Sequence, residues 1–159
     1  MTVYELVRDE LIAADLGLTP ANCYVSAVTF DLPGSHPFYV QVVPNGSDDA
    51  GVEVGGEQAQ GSLTERVGLK LSVFVHMSLD QERRTQQALV QDSAGLLGRV
   101  DALRDALIGT MLEEAGEPTL VSGLFWTSTT PPVSYPDDPS WVSVDLMFAG
   151  YIYKQIDLQ

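Results

Sequence analysis

The stretch 62-SLTERVGLKLSVFVHMS-78 decides how this chain folds. Val67, Leu69, Leu71, Val73, Val75 and Met77 all fall on odd positions, which is the period of 2 of a strand that buries one face. The run contains no proline, so every N–H can enter a ladder. A helical pattern and two more strand patterns follow it. That β-α-β-β order predicts an α+β domain. The expected architecture is a mainly antiparallel sheet of roughly four to five strands, packed on one long or two consecutive helices and preceded by an N-terminal helix.

Upstream, Thr2 and Glu5 fit a capping box, and Tyr4, Val7, Leu11 and Ala14 recur at helical spacing until Gly17. Cys23–Leu32 and Pro37–Val43 read as strands, joined by the turn formers Pro33-Gly34-Ser35. Residues 44–61 change character: Asn45-Gly46-Ser47-Asp48-Asp49 and Gly55-Gly56 are turn formers, so a loop projecting between two paired strands is expected there. Downstream, Ser78 and Gln81 form a second candidate capping box, and Asp80 to Glu114 reads helical. Its surest face carries Leu96, Val100, Leu103, Leu107 and Met111. Thr119–Ser128 reads as a strand. The segment from Thr129 to Pro139 holds Pro131, Pro132, Pro136 and Pro139 and is expected to stay out of any ladder. Ser140–Tyr153 closes the sheet, with a bulge expected at Gly150.

With 159 residues, of which 45% are hydrophobic and 19% charged, the chain is expected to fold as one domain over 1–159. No apolar run approaches the roughly 18–20 residues of a membrane span. The start, Met1-Thr2-Val3-Tyr4-Glu5, does not read as a secretory signal. Cys23 is the only cysteine, so no intrachain disulfide can form and a reducing cytoplasm is the expected site of synthesis. Eight Lys and Arg stand against 22 Asp and Glu, for a formal charge of −14. Such a surface repels phosphate backbones and anionic membranes alike.

Candidate chemistries were weighed against plainer readings. Cys23 lacks a histidine activator and an orienting third group, and reads as a small buried hydrophobe. His36 and His76 are too differently placed to make a zinc site. Asp48-Asp49 and Asp137-Asp138 lack the spacing of a calcium loop and suit solvated turns. Glu113, Glu114 and Glu117 read as a solvated helix end. There is no GxGxxG, phosphate loop or GxSxG elbow. No metal, cofactor or catalytic activity is therefore expected.

One pattern points to partners. With the odd side of 67–77 and the even side of 142–152 against the helices, the opposite side presents Lys70, Phe74, Met147, Tyr151 and Tyr153 beside Ser72, His76 and Asp145. That much aromatic and sulfur surface reads either as a protein interface or as a face covered by the chain's own first helix or long loop.

The order of elements resembles the tail terminator (tail completion) proteins of long-tailed bacteriophages. The resemblance runs through the helix ending near Gly17, the strands around Tyr24–Phe30 and Phe38–Val43, the segment Asn45–Gly61 and Leu69–Val75. It continues through the helix Val100–Leu107 and the late strand Trp141–Tyr153. It implies a structural virion protein that forms a hexameric ring at the head-proximal end of the tail, stops tube polymerisation and meets the head connector. The implied partners are further copies of the chain, the tail tube protein and the connector, with DNA passing the lumen without specific binding. Six copies at −14 would carry −84, a lining to which phosphates adhere poorly. Phe74, Met147, Tyr151, Tyr153 and Lys70 are then the expected contacts between subunits. Asn45, Asp48, Asp49, Val52 and Val54 are expected to lie on a loop that orders against tube or connector. A neck or head-closure component, or a stand-alone small-molecule binding domain, are the rival readings.

Overall fold

A computed structural model of the chain describes residues 2–27, 36–55, 60–89, 95–114, 117–118 and 123–157. The elements run α1 (Val3–Ala13), β1 (Cys23–Val25), β2 (Phe38–Gly55), β3 (Gln60–His76), α2 (Gln81–Leu89) and α3 (Leu96–Leu107). They continue with β4 (Glu113–Glu114), β5 (Glu117–Pro118), β6 (Phe125–Thr129), β7 (Val133–Ser134) and β8 (Trp141–Asp157). The fold is α+β, and its main sheet has six strands in the order β1-β2-β3-β8-β6, with β7 also on β8. All described pairings are antiparallel except β1 on β2.

The alternating run does what its period requires. Val67, Leu69, Leu71, Val73, Val75 and Met77 are all buried. Val142, Val144, Leu146 and Phe148 of β8 join them on the same side of the sheet, as do Val40 and Val42 of β2. Against that side pack Leu6, Val7 and Leu11 of α1 and Leu96, Val100, Leu103 and Leu107 of α3. At about 25 cal/mol per Å² of apolar surface removed from water, this single layer of helix on sheet is the main stabilising contact of the domain.

Both ends of α1 follow the sequence. Thr2 Oγ1 accepts from Glu5 N, and the Glu5 carboxylate accepts from Thr2 N at 2.7 Å. The carboxylate also accepts from Thr2 Oγ1, and the bonds it accepts from Thr2 N and Oγ1 hold the Glu5 carboxyl below its ordinary pKa. Gly17, at φ +77°, takes the chain out of the helix exit in a conformation other residues adopt at a cost.

Other expectations are corrected. The segment from 44 to 55 is not a loop: β2 runs through it without ending, in register with β3. The turn formers are absorbed by two register shifts, between Pro44 and Ser47 and between Asp49 and Gly51, where extra residues bulge out of the ladder. Residues 56–59 lie outside the described residues, as do 28–35, 90–94 and 119–122, which hold parts of the other expected strands, turn and helix start. Of the two expected alternatives for the helical segment, one long helix or two consecutive ones, the chain adopts two. At the start of α2 the cap is Asp80, whose carboxylate accepts from Arg83 N, and not Ser78. α3 ends at Leu107, so Met111 leaves the helical face and is 46% exposed, while Leu112 is buried. The expected bulge at Gly150 is absent, since β3 and β8 pair without a shift from Gln60↔Asp157 to His76↔Trp141. The proline-rich segment does enter the sheet. Val133 and Ser134, which keep their N–H groups, pair with Ser143 and Val142.

Candidate assembly interface

β3 continues from Leu69, its last residue in the main core cluster, to Gln60. At about 3.3 Å per residue, that is an extension of roughly 30 Å. Ser47–Gly55 of β2 and Gly150–Asp157 of β8 flank it, and the three make a ribbon. β1 covers β2 only at Val40–Val42, and β6 reaches β8 only as far as Ala149. Both outer edges of this arm therefore have no strand partner among the described residues. Unpaired N–H and C=O groups along a strand edge are the usual template for pairing with another chain.

The side of the sheet away from the helices divides into a closed end and an open end. At the His76 end, Phe74 is 2% exposed. It lies edge-on to Tyr135, with ring centres 6.3 Å apart, in a cluster with Tyr39 and Trp141. The Tyr39 and Trp141 ring centres are 5.7 Å apart, and Trp141 in turn lies 5.2 Å from His76. β7 carries Tyr135 there, and Arg84 of α2 fastens the same segment by donating to Ser134 Oγ at 2.7 Å and Pro139 O at 2.8 Å. Gln41 and Ser72, cross-strand neighbours on this side, are also fully buried. The expectation of Phe74 as an exposed subunit contact is thus corrected: the chain's own proline-rich segment covers it. The first helix does not, because it packs on the opposite side.

Toward the arm this side opens. Lys70 and Met147 are cross-strand partners and half-buried. Tyr151 is half-buried too, 5.8 Å from the Phe125 ring. These three expected interface residues share one surface. Tyr153 pairs through its backbone with Thr64, and its side chain lies outside the described residues. Asn45 sits exposed in the first bulge and donates from Nδ2 to Met147 Sδ at 3.6 Å. Asp48, Asp49, Val52 and Val54 pair in the ladder with Arg66, Glu65, Leu63 and Gly61, and their side chains too lie outside the described residues.

Two residues escaped the sequence reading. Arg66 shares its side of β3 with Lys70, and Gly68 lies between them. A Cβ on Gly68 would come within 2.6 Å of the Asn45 carbonyl oxygen, so the bulge can close over β3 only at glycine. The result is a polar cleft of about 260 Å³ at the base of the arm. The signal was present in the spacing Arg66-x-Gly68-x-Lys70 on the polar side, but the bulge that gives it meaning was not.

Cys23 is buried, and burial pushes its thiol up to about 12, far from a reactive thiolate. The Asp138 carboxylate accepts from Ser140 N and Oγ, which lowers its pKa and closes a turn. No described helix is long and apolar enough to cross a membrane.

No protein family profile and no curated protein matches this sequence. Among solved structures, the chain is similar to one from the "Virion of native gene transfer agent (GTA) particle", at 18% identity and a TM-score of 0.57. The match covers 96% of this chain and 95% of that one. At that identity the likeness establishes a shared fold, and it does so from end to end.

Proposed function

We propose that this chain is a structural virion protein of a phage-like particle that works as a ring of identical copies. In this reading six copies cap the head-proximal end of the tail tube, end its polymerisation and present their other face to the head connector. The observation that carries the proposal is the three-stranded arm, whose β2 edge on one side and β8 edge on the other have no strand partner among the described residues. Two different edges on one copy allow head-to-tail contact, and such contacts close into a ring when the rotation per copy fits. The end-to-end fold likeness to a virion chain supports the same reading. So does the charge of −14 per copy, which suits a lumen that DNA crosses without sticking. The proposal assigns the chain no catalytic step and no cofactor.

The test is to add the purified protein to tail tube subunits as they polymerise and to image the products. The expected result is short tubes bearing a ring at one end. Tubes of unchanged length with bare ends at saturating protein would sink the proposal.

A further inference from the structure

We propose that the cleft at the base of the arm receives a carboxylate side chain from a second copy of this chain, with Arg66 as its anchor. The inference rests on the assembly reading above and names the contact that makes assembly of such acidic copies possible.

The Arg66 side chain is half-buried beside the cleft and makes no ion pair or hydrogen bond with any described residue. Three other arginines have described partners. Arg8 pairs with Asp9 at 2.8 Å, Arg104 reaches Asp101 and Asp105, and Arg84 bonds Ser134 and Pro139. With only 8 basic residues against 22 acidic ones, a guanidinium with no partner among the described residues, in a concave polar site, is the place where this surface attracts its own kind. Lys70, on the same side of β3 two residues beyond Gly68, also has no described ion pair and adds to the positive field.

The cleft selects for size as well as charge. Its wall is the bulge Asn45-Gly46-Ser47, Gly68 leaves its floor without a side chain, and Thr127 closes the far rim. At about 260 Å³ it lies below the roughly 300–1,000 Å³ of small-molecule sites. That space suits a carboxylate on a short stem, which a guanidinium fork can grip through two parallel bonds. The donor must come from a different part of the next copy, because Arg66 needs a carboxylate opposite it and not a second guanidinium. Exposed carboxylates stand on the helix layer, among them Glu10 and Asp15. A cation on the sheet side and carboxylates on the helix side allow a head-to-tail contact, the kind a ring needs.

The test compares wild type, Arg66→Glu and Arg66→Lys by light scattering across a concentration series at low and high salt, with circular dichroism to show that each variant is folded. Arg66→Glu is expected to weaken association on the order of a hundredfold. Arg66→Lys, which keeps the charge and loses the fork, should fall between, and high salt should narrow the differences. Equal association of wild type and a folded Arg66→Glu would overturn the contact while leaving the ring reading intact. A wild type that never associates would instead overturn the ring reading, and this contact with it. The third arm is inorganic phosphate. If it raises the melting temperature of wild type but not of Arg66→Glu, while association is equal in both, the cleft is a small-anion site and the contact between copies is refuted.

Discussion

Phe74→Ala will lower the stability of the single chain by about 3–5 kcal/mol, the usual cost of removing a fully buried aromatic ring from a packed site. For a domain of this size that is a drop of roughly 10 °C in melting temperature. The reason is local. Phe74 is closed in by Tyr39, Trp141 and Tyr135, so its removal leaves a hole under β7 that those rings cannot fill without moving off their strands. The measurement is urea unfolding at a protein concentration low enough to keep copies apart. Met111→Ala is the control: at 46% exposure it should change stability by no more than about 0.5 kcal/mol. Should Phe74→Ala unfold like wild type yet fail to associate, Phe74 would be a contact between copies after all, and the closed end of the sheet would have been misplaced.

The second large effect concerns the arm. A chain ending at Tyr153 loses the Lys154–Asp157 pairing with Gln60–Leu63 and with it part of the open β8 edge. Ile152, the last described side chain of β8 packed on the core, is retained, as is the contact of Tyr151 with Phe125. The folded chain should therefore lose no more than about 1 kcal/mol of stability. Association should fall by on the order of a hundredfold or more, because edge pairing depends on an intact ribbon. A shortened chain that associates as well as the full one would show that copies meet elsewhere.

The sequence disclosed those parts of the fold whose signals are local and periodic. The odd positions of 67–77 and the positions 96, 100, 103 and 107 mark the buried surfaces of β3 and α3 directly, since a period of 2 or 3.6 has no other cause in a half-buried element. Thr2 and Glu5 name the helix start through their own reciprocal bonds. What it concealed depends on distant partners. Asn45-Gly46-Ser47-Asp48-Asp49 reads as a turn because its residues favour turns. Whether a strand stops there or bulges and goes on is decided by the long partner strand across from it. Phe74 reads as exposed because its alternation partners are polar, and its cover arrives from Tyr135, far along the chain and behind prolines that hid a two-residue strand. The site followed suit. Lys70, Met147 and Tyr151 were legible as one surface, whereas Arg66 and Gly68 acquire a role only once the bulge folds over them.

The most direct test of the account is the molar mass of the purified protein in solution as concentration rises, with particles of each size imaged on grids. The account predicts growth from 17.2 kDa for one chain to a closed species of six times that mass, about 103 kDa, visible as a ring with a central hole. A mass that stays at 17.2 kDa at every concentration, with no rings on the grid, would contradict it.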